Sequence, residues 1–399
     1  MRVERVELFD FRSYPHVEVS FEPGVNVLLG PNGIGKTNVV EAVGYVSTMS
    51  SHRVAADLPL VRVESPQAVI RVESIRRDRS SVTEIAIIPG RANRVQISGS
   101  PVRARDVVGQ LRTVLFAPED LALVKGDPSD RRRFLDDLLV QRAPRYAAVR
   151  GDYERIVRQR TTLLKSMAGR GNRPLDESAA STLEVWDEQL AEVGASLLFG
   201  RLSLMAEIDE LVASAYGRVA PGKSATIAYY PRWLSTDHDG YALPRDRELL
   251  RDLLWEHISL KRREELARGV TLIGPHRDDL QFEIGGMPAK SHASHGECWS
   301  LALSLRLGSF DLMRGLDDGS GDPVLILDDV FAELDQSRRE ALVTVAASAE
   351  QVLVTAAVAD DVPPELAATN FSVAPGEVHR VTAPAEAHRV TAPGQVHRD

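Results

Sequence analysis

Residues 25–37 read VNVLLGPNGIGKT, an apolar run that ends in a glycine-rich turn. The turn matches the pattern G-x-x-x-x-G-K-[ST], and Val39 to Val43 resume with the apolar positions of a helix. Glycines let backbone N–H groups converge on phosphate oxygens, Lys36 supplies a positive charge, and the Thr37 hydroxyl can reach Mg²⁺. The order strand, loop, helix predicts an α/β protein with a nucleoside triphosphate site formed by Gly30, Pro31, Asn32, Gly33, Ile34, Gly35, Lys36 and Thr37.

A second apolar strand, Val324 to Leu327, is followed directly by the carboxylates of Asp328 and Asp329. A buried strand that ends in two acids needs a cation nearby to compensate their charge. We expect Asp328 to hold Mg²⁺ through a water molecule and Asp329 to orient or deprotonate the attacking water. A strand followed by a polar turn is common by itself, and the phosphate loop upstream is what favours the catalytic interpretation.

The segment Ser294-His295-Gly296-Glu297 begins a helical pattern that runs to Arg314. A serine and a glycine at a helix N-terminus can present hydroxyl and backbone donors to a phosphate group. The segment is therefore a candidate for a second phosphate-binding end, with Ser294 and Gly296 as its donors. The alternative is an ordinary N-cap, in which Ser294 only closes the first turn of the helix.

The pattern of apolar residues divides the chain into strand-rich and helix-rich parts. Alternation predicts three strands before residue 30 and an antiparallel meander over 68–99. Helical spacing prevails from Pro118 to Gly269, with breaks that include 169–174, and strands are predicted again at 270–273, 280–284, 324–327 and 352–355. Apolar strands separated by helices indicate a buried, mostly parallel sheet, so we predict an α/β unit split by a helical insertion.

These changes set the expected domain boundaries. Residues 1–115 form the N-terminal part with the phosphate loop, 116–269 the helical insertion lobe, and 270–373 the C-terminal part with the Asp-Asp strand. Residues 374–399 nearly repeat themselves and contain no Leu, Ile, Phe, Met, Trp or Tyr. Because such a segment buries too little apolar area to offset the entropy lost on ordering, we expect a disordered tail.

Composition restricts the class of protein. The 399 residues are 43% hydrophobic and 26% charged, with a formal net charge of -9, which is typical of a folded globular protein and unlike a uniformly basic one. One cysteine, Cys298, cannot form an intramolecular disulfide, and the first residues lack the apolar core of a signal peptide. We expect a cytoplasmic protein without a membrane-spanning helix.

One region departs from the acidic average. Residues 141–173 hold nine lysines and arginines against Asp152 and Glu154, a local balance of +7. Such a patch attracts a phosphate backbone without reading its sequence, so duplex DNA is the expected ligand. A solvated helix face is the competing interpretation. The candidate DNA-binding residues are Arg142, Arg150, Arg155, Arg158 and Arg160.

In its order of motifs the chain resembles the ABC-type ATPases, in the branch that contains the SMC proteins and the RecF family. That order is the phosphate loop, a long insertion, the Ser-x-Gly helix, the acid-ended strand and then Glu333-Leu334-Asp335. The resemblance extends over Met1 to Thr355. Further segments similar to the RecF family are Phe11-Arg12-Ser13-Tyr14, Ser51-His52-Arg53, Phe116 to Leu121, Leu123 to Gly126, Arg131 to Asp136, Gly274 to Asp279 and Asp328-Asp329-Val330.

The resemblance implies an ABC-type ATPase head, with a mixed sheet and an antiparallel meander, that carries the helical insertion. It implies that two subunits close over two ATP molecules, so that Ser294 and Gly296 of one subunit touch the γ-phosphate held by the other. Arg12 and Arg53 would lie near the nucleotide, and Asp335 would belong to the loop that crosses the dimer interface. The implied function is ATP-dependent binding of duplex or gapped DNA, at single-strand to double-strand junctions, in recombinational gap repair and fork maintenance, with RecO and RecR as partners.

The sequence also departs from the resemblance. Cys298 and Trp299 replace polar residues of the signature helix, and Ala332 replaces a serine. Where transporters carry a switch histidine, this chain has Thr355 or Ala356, which favours slow hydrolysis. The predicted activity is a weak ATPase that DNA stimulates. His276 has no assigned role and is interpreted as a structural histidine. The alternatives are a transporter ATPase subunit, an SMC-like structural ATPase, and a protein in which ATP is only a structural ligand.

Overall fold

The computed structural model describes residues 1–168, 177–234, 243–316, 319 and 321–381. The predicted break at 169–174 and most of the predicted tail, 382–399, lie outside the described residues. The strands are β1 (Arg2–Phe11), β2 (Tyr14–Ser20), β3 (Gly24–Leu29), β4 (Ala68–Arg76), β5 (Arg79–Ile87), β6 (Arg94–Ile97), β7 (Ser100–Val102), β8 (Thr113–Phe116), β9 (Ala225–Tyr230), β10 (Asp279–Ile284), β11 (Met287–Pro288), β12 (Val324–Asp328), β13 (Gln351–Ala356), β14 (Ala368–Ala374) and β15 (Glu377–Arg380).

The helices include one of 43 residues, α5, which is the longest in the described part of the chain. They are α1 (Lys36–Thr48), α2 (Leu121–Lys125), α3 (Pro128–Arg142), α4 (Arg145–Met167), α5 (Glu177–Val219), α6 (Arg247–Arg268), α7 (Ala289–His292), α8 (His295–Arg314) and α9 (Gln336–Ser348). Short 3-10 turns occupy 58–60, 104–106, 118–120, 275–277, 331–333 and 359–361. Across the described ranges, no helix is both long enough and apolar enough to cross a bilayer.

The central sheet brings the sequence motifs together. Its strand order is β15-β14-β3-β13-β12-β8, and its pairs are parallel except for β14 with β15. In the register of this sheet, Leu29 lies opposite Ala356 and Asp328 lies opposite Thr355. The phosphate loop and the acid pair therefore meet at the carboxyl edge of the sheet, where open α/β sheets bind their ligands.

Both faces of the central sheet are covered, which explains why its strands are apolar throughout. Along β12, Val324 and Ile326 face the core that contains α1 and the antiparallel sheet. Leu325 and Leu327 face the opposite core, which contains α8 and α9. The predicted mixed α/β fold is confirmed.

A second sheet, ordered β2-β1-β4-β5-β6-β7, is antiparallel throughout. It contains the meander predicted over 68–99. One face supplies apolar residues to the core around α1, where Val6, Leu8, Ile70 and Ile85 are fully buried. Polar residues alternate with these along each strand, as expected for a sheet with one face exposed to solvent.

The helical lobe contains a small third sheet, ordered β11-β10-β9, that the sequence prediction did not anticipate in full. Strand β9 lies within the region predicted to be helical, and it pairs with β10, which lies beyond the boundary predicted at residue 269. Phe282 and Ile284 of β10 pack in the same core as Leu198 of α5 and Ile258 of α6. The core of the lobe therefore continues past residue 269 as far as α8.

The strand predicted at 270–273 and the predicted start of the disordered tail are both wrong. Residues 270–273 form no strand, because Gly269 ends α6 with φ at 65° and the Thr271 carbonyl accepts hydrogen bonds from the Arg277 side chain. The tail is ordered further than predicted, since Glu377–Arg380 form β15 against β14. Arg380 is also held by Glu22 at 2.6 Å, and Phe371 of β14 is buried. Backbone pairing with β14 therefore orders this segment although it lacks large apolar side chains.

Candidate functional site

The phosphate loop runs from the end of β3 to the first turn of α1. It needs glycine at position 35, where φ is 122° and a Cβ atom would lie 2.7 Å from the Tyr14 hydroxyl. Tyr14 is buried beneath the loop, and its burial raises the pKa of the phenol to about 12. The neutral side chain of Tyr14 therefore packs against Gly35, at the turn that leads from the loop into α1.

Lys36 lies within the curve of the loop and is 3% exposed. Its ammonium group donates to the carbonyl oxygens of Gly30 at 2.7 Å and Pro31 at 3.3 Å, and to the Asn32 side chain at 3.3 Å. A cation held this way is available to phosphate oxygens that enter the loop. The predicted order of strand, loop and helix around Gly30 to Lys36 is thus present in three dimensions.

Thr37 and Asp328 are 291 residues apart in sequence and in direct contact at the sheet edge. The Thr37 hydroxyl donates to Asp328 Oδ1 at 2.9 Å, and the Thr355 hydroxyl donates to the same oxygen at 2.6 Å. Hydroxyl and carboxylate oxygens are the ligands that Mg²⁺ prefers, and Mg²⁺ in nucleotide sites takes only one or two from the protein. Thr37 and Asp328 therefore fit a Mg²⁺ ion bound together with a triphosphate.

Asp329 turns away from the strand into a left-handed backbone conformation, with φ at 50°. Its N–H donates to the Thr355 hydroxyl at 2.9 Å, and its carboxylate lies 3.9 Å from the Lys36 ammonium. Burial raises the pKa of Asp329, and the neighbouring Lys36 acts in the opposite direction. The carboxylate lines a cleft of about 280 Å³ with Asn32 and Thr355. Asp329 is therefore placed to act on a water molecule in this cleft.

From the sequence, Thr355 was only one of two positions, with Ala356, that could correspond to the switch histidine of transporters. It connects the two acids, because it donates to Asp328 and accepts from the Asp329 backbone. The sequence did contain an indication of this role, because the strands that end near Asp328 and Thr355 were both predicted to belong to a parallel sheet. Side chains at the carboxyl ends of neighbouring strands lie side by side.

Arg12 and Arg53 converge on Glu41 of α1, a residue that sequence reasoning missed. Arg12 forms a two-bond pair with the fully buried Glu41 carboxylate at 2.6 and 2.9 Å, and Arg53 lies 3.4 Å from the same group. Arg53 also donates to Asn38 at 3.1 Å. Both arginines are therefore fixed one turn beyond the phosphate loop.

Ser294 caps α8, as its alternative interpretation predicts. Its hydroxyl accepts from the Glu297 N–H at 3.3 Å, and Glu297 accepts from the Ser294 N–H at 2.8 Å. Lys223 also donates to Glu297 at 2.5 Å, and these bonds lower the pKa of Glu297 to about 2. The N-terminus of α8 is thus rigidly formed, with Ser294 at its exposed tip.

Arg338 connects the start of α8 with Asp335, and no sequence motif pointed to it. Its guanidinium donates to the Gly296 carbonyl at 2.8 Å, to Ser300 at 2.9 Å and to Asp335 at 2.7 Å. A Cβ atom on Gly296 would lie 2.9 Å from this guanidinium. Gly296 and Asp335 are therefore parts of one unit. Among the described residues, no hydrogen bond or ion pair joins Ser294, Gly296 or Asp335 to the phosphate loop.

The basic patch is smaller than predicted. Arg142 pairs with Glu207 at 2.7 Å and Arg150 with Asp137 at 2.8 Å, and Arg155 pairs with the exposed Asp152 at 3.0 Å. Arg158 is exposed and has no ion pair within the described ranges. Of the five candidate DNA-binding residues, Arg155 and Arg158 are the exposed ones.

Arg160 is wrongly predicted to bind DNA. Its side chain is fully buried between α4, α5 and α6, where it donates to Asp187 and Glu265, each at 2.6 Å. Ion pairs of this kind leave no donor for a phosphate and hold the group away from the surface. We name Arg160, Asp187 and Glu265 the three-helix ion cluster.

His276 is a structural histidine. Its Nδ1 accepts from the Tyr153 hydroxyl at 2.8 Å, and its Nε2 lies 3.2 Å from the Thr271 carbonyl, which it can serve as a donor. Nearby, the Tyr229 hydroxyl donates to buried Asp278 at 2.6 Å. The segment Gly274 to Asp279 therefore ties α4 and β9 together inside the helical lobe.

This burial makes a prediction about pH. Burial lowers the pKa of His276 to about 4, so the native ring stays neutral while the unfolded chain takes up a proton below pH 6.5. The free energy of unfolding should therefore fall by about 3 kcal/mol between pH 6.5 and pH 4. Urea unfolding of wild type and His276→Gln should show this loss in the wild type only. The same loss in His276→Gln, or its removal by substitution of exposed His292, would contradict the assignment.

Comparison with known families covers nearly the whole chain. A model described as the RecF/RecN/SMC N terminal domain matches residues 2–363. The DNA replication and repair protein RecF of Streptomyces avermitilis is 51% identical over 386 residues, which cover 96% of this chain and 100% of that protein. The RecF of Kineococcus radiotolerans is 53% identical over 376 residues, covering 92% of this chain and 95% of that protein.

Solved structures show the same fold. The recombination mediator protein RecF-ATPrS in the RecFOR pathway matches with a TM-score of 0.83 at 24% identity, covering 96% of this chain and 98% of that one. The Smc head domain of Pyrococcus furiosus, with an extended coiled coil and bound to the C-terminal domain of ScpA, matches with a TM-score of 0.52 at 15% identity, covering 95% of each chain.

Proposed function

Because the chain belongs to the RecF family of DNA replication and repair proteins, within the RecF/RecN/SMC group, we propose that ATP bound at its phosphate loop controls the pairing of two subunits on DNA. The chain is an ATPase of the RecF and SMC type. The observation that carries the proposal is the contact of Thr37 with Asp328 at 2.9 Å, beside Lys36 at the sheet edge.

We propose that Mg²⁺ binds with the triphosphate at Thr37 and Asp328. The ion would neutralise charge on the phosphate oxygens, while Lys36 and the loop amides position the terminal phosphate. Asp329 would then orient the attacking water, since its carboxylate lines the adjacent cleft. With Thr355 or Ala356 at the position where transporters carry a histidine, the site lacks that imidazole, and we expect slow hydrolysis.

The second half of the site comes from another copy of the chain. Ser294 and Gly296 form a donor-bearing helix N-terminus, yet nothing in the described residues links them to the phosphate loop of the same subunit. Arg338 holds them in one unit with Asp335, which supports a preformed surface for the partner. Triphosphate shared by two subunits would stabilise the dimer, and hydrolysis would release it.

We further propose that the dimer binds duplex or gapped DNA near a single-strand junction, and that DNA stimulates hydrolysis. The solved relative is described as part of the RecFOR pathway, which makes RecO and RecR the partners we expect. DNA repair takes place on the chromosome, so we place the protein in the cytoplasm.

The exposed cations of α4 test the DNA surface. Changing Arg155 and Arg158 together to glutamate should weaken duplex affinity about 10-fold or more and reduce the slope of log affinity against log salt by about 1 to 2. Fluorescence anisotropy with labelled duplex over a range of salt concentrations measures both quantities.

A matched control has the same charge change on another face. Arg91 and Arg94 are exposed near the start of β6, and their double substitution by glutamate alters net charge equally. We expect that control to keep most of the salt slope. Equal losses in the two double variants would place the DNA surface elsewhere.

The whole proposal can be tested by sedimentation of the chain with and without ATP, Mg²⁺ and a gapped duplex. We expect monomers without nucleotide, dimers with ATP, and a larger complex when DNA is added. Dimers that form with ATP but without any turnover, with or without DNA, would favour ATP as a structural ligand. ATP binding without a change in mass would overturn the shared site.

A further inference from the structure

His52 lies in the loop after α1 and faces the acid pair, although neither ATP binding nor the dimer proposal uses it. Its Nε2 is buried and has no hydrogen-bond partner in the described part of the chain. The same atom lies 3.9 Å from Asp328 Oδ2. A buried imidazole nitrogen without a partner is costly, so its place beside a functional carboxylate needs an explanation.

Within the part of the chain that the structure describes, hydrogen bonds reach only one oxygen of the Asp328 carboxylate. The hydroxyls of Thr37 and Thr355 both donate to Oδ1, at 2.9 and 2.6 Å. Oδ2 faces His52 instead. Neutral imidazole can carry its proton on Nε2 and donate it to a carboxylate oxygen. The two atoms are therefore chemically matched for a hydrogen bond.

The distance of 3.9 Å is too long for such a bond, which spans about 2.7–3.2 Å, and too short to hold a bridging water between two such bonds. A movement of about 1 Å would make the contact. His52 also borders a cavity of about 180 Å³ between α1, α3 and β8, so the ring has room to move.

The loop that carries His52 is anchored on both sides. The Ser51 hydroxyl donates to Glu41 of α1, and Arg133 of α3 donates to the Ser51 carbonyl at 2.6 Å. The Arg53 N–H donates to Ser51 Oγ at 3.0 Å. A small shift of α1 or α3 therefore moves His52 relative to Asp328.

We propose that His52 is a positioning residue for hydrolysis, whose Nε2–H donates to Asp328 Oδ2 when nucleotide is bound and fixes the carboxylate orientation. The inference rests on the proposed function, because it requires Asp328 to hold Mg²⁺. Residues that orient a metal-binding side chain change metal affinity and turnover about 10–100-fold when they are lost.

Two amide variants of different reach test this role. Glutamine can place its N–H near the position of Nε2, and asparagine cannot. We expect His52→Asn to lower kcat about 10-fold or more with KM for ATP changed less than about 3-fold, and His52→Gln to recover most of kcat. His52→Leu should resemble His52→Asn and serves if that variant does not fold, as judged by thermal unfolding.

A binding measurement provides a readout besides turnover. With a fluorescent ATP analogue, the Mg²⁺ concentration that gives half-maximal enhancement of binding should rise about 10-fold in His52→Asn and little in His52→Gln. Nucleotide binding without Mg²⁺ should be unchanged in both. Equal effects of the two amides, or wild-type behaviour of both, would overturn the positioning role. Absence of ATP binding by the wild type would instead refute the proposed function.

Discussion

Lys36→Arg is expected to lower ATP turnover about 100-fold or more while the fold stays intact. The Lys36 ammonium is buried among three oxygen acceptors within 3.3 Å. A planar guanidinium is larger, donates in a fixed fork, and cannot reproduce the contact of a compact ammonium with a phosphate oxygen. Loss of one positioned electrostatic contact at a transition state costs about 100–1000-fold in rate.

Phosphate release under saturating ATP measures this effect, and thermal unfolding checks the fold. Lys165→Arg is the matched control, since Lys165 is exposed on α4 and its substitution should leave turnover unchanged. Turnover of Lys36→Arg at the wild-type rate would show that hydrolysis occurs at another site.

Ser294→Asp is expected to abolish ATP-dependent dimers while each subunit still binds nucleotide. Aspartate caps a helix about as well as serine, so α8 should keep its first turn. Its charge would, however, face the triphosphate of the partner and repel it. We expect the dimer dissociation constant with ATP to rise about 100-fold or more, which corresponds to about 3 kcal/mol of lost contact and added repulsion.

Ser294→Ala tests the same contact without adding charge. It removes the cap as well, at a cost of about 1 kcal/mol, so the effect of cap loss needs its own control. Asp246 caps α6 through the Leu249 N–H at 2.9 Å, and Asp246→Ala loses a comparable bond away from the nucleotide. Light scattering with and without ATP should show dimers for Asp246→Ala only. Normal dimers of Ser294→Asp would disprove a contact across subunits.

The sequence predicted the parts of the fold and site that depend on local pattern. The phosphate loop, the apolar strand that ends in Asp328 and Asp329, and the capped helix at Ser294 each follow from spacing over a few residues. The resemblance to the RecF family, drawn from the order of such motifs, is confirmed.

Contacts between distant residues could not be predicted in this way. Glu41 forms ion pairs with Arg12 and Arg53, and only the fold brings these residues together. The same holds for Arg338, which donates hydrogen bonds to both Gly296 and Asp335. The orientation of His52 toward Asp328 is of the same kind. Strand β9 was not predicted because it has only six residues and lies within a region of helical spacing. A segment this short shows too few apolar and polar alternations to identify a strand.

The error at Arg160 was avoidable. The buried residues of α4 form one stripe at helical spacing, and Arg160 lies four residues after Ile156 and four before Leu164 on that stripe. Arg158 falls on the opposite side. The net charge of residues 141–173 includes arginines on both faces of the helix. It therefore does not separate the buried Arg160 from arginines on the surface.

The three-helix ion cluster has an evolutionary consequence. The Arg160 guanidinium pairs with carboxylates from two other helices, and all three groups are out of contact with solvent. The partly exposed Arg262 of α6 supplies a second positive charge to Asp187. Loss of Arg160 leaves the buried Glu265 carboxylate without its cation, although Asp187 keeps Arg262, and loss of either carboxylate leaves buried Arg160 with one ion partner in place of two. Three apolar side chains of equal volume could replace the cluster at little cost. Descendants that mutate one position should rarely persist, so Arg160, Asp187 and Glu265 should be inherited or exchanged jointly across related lineages.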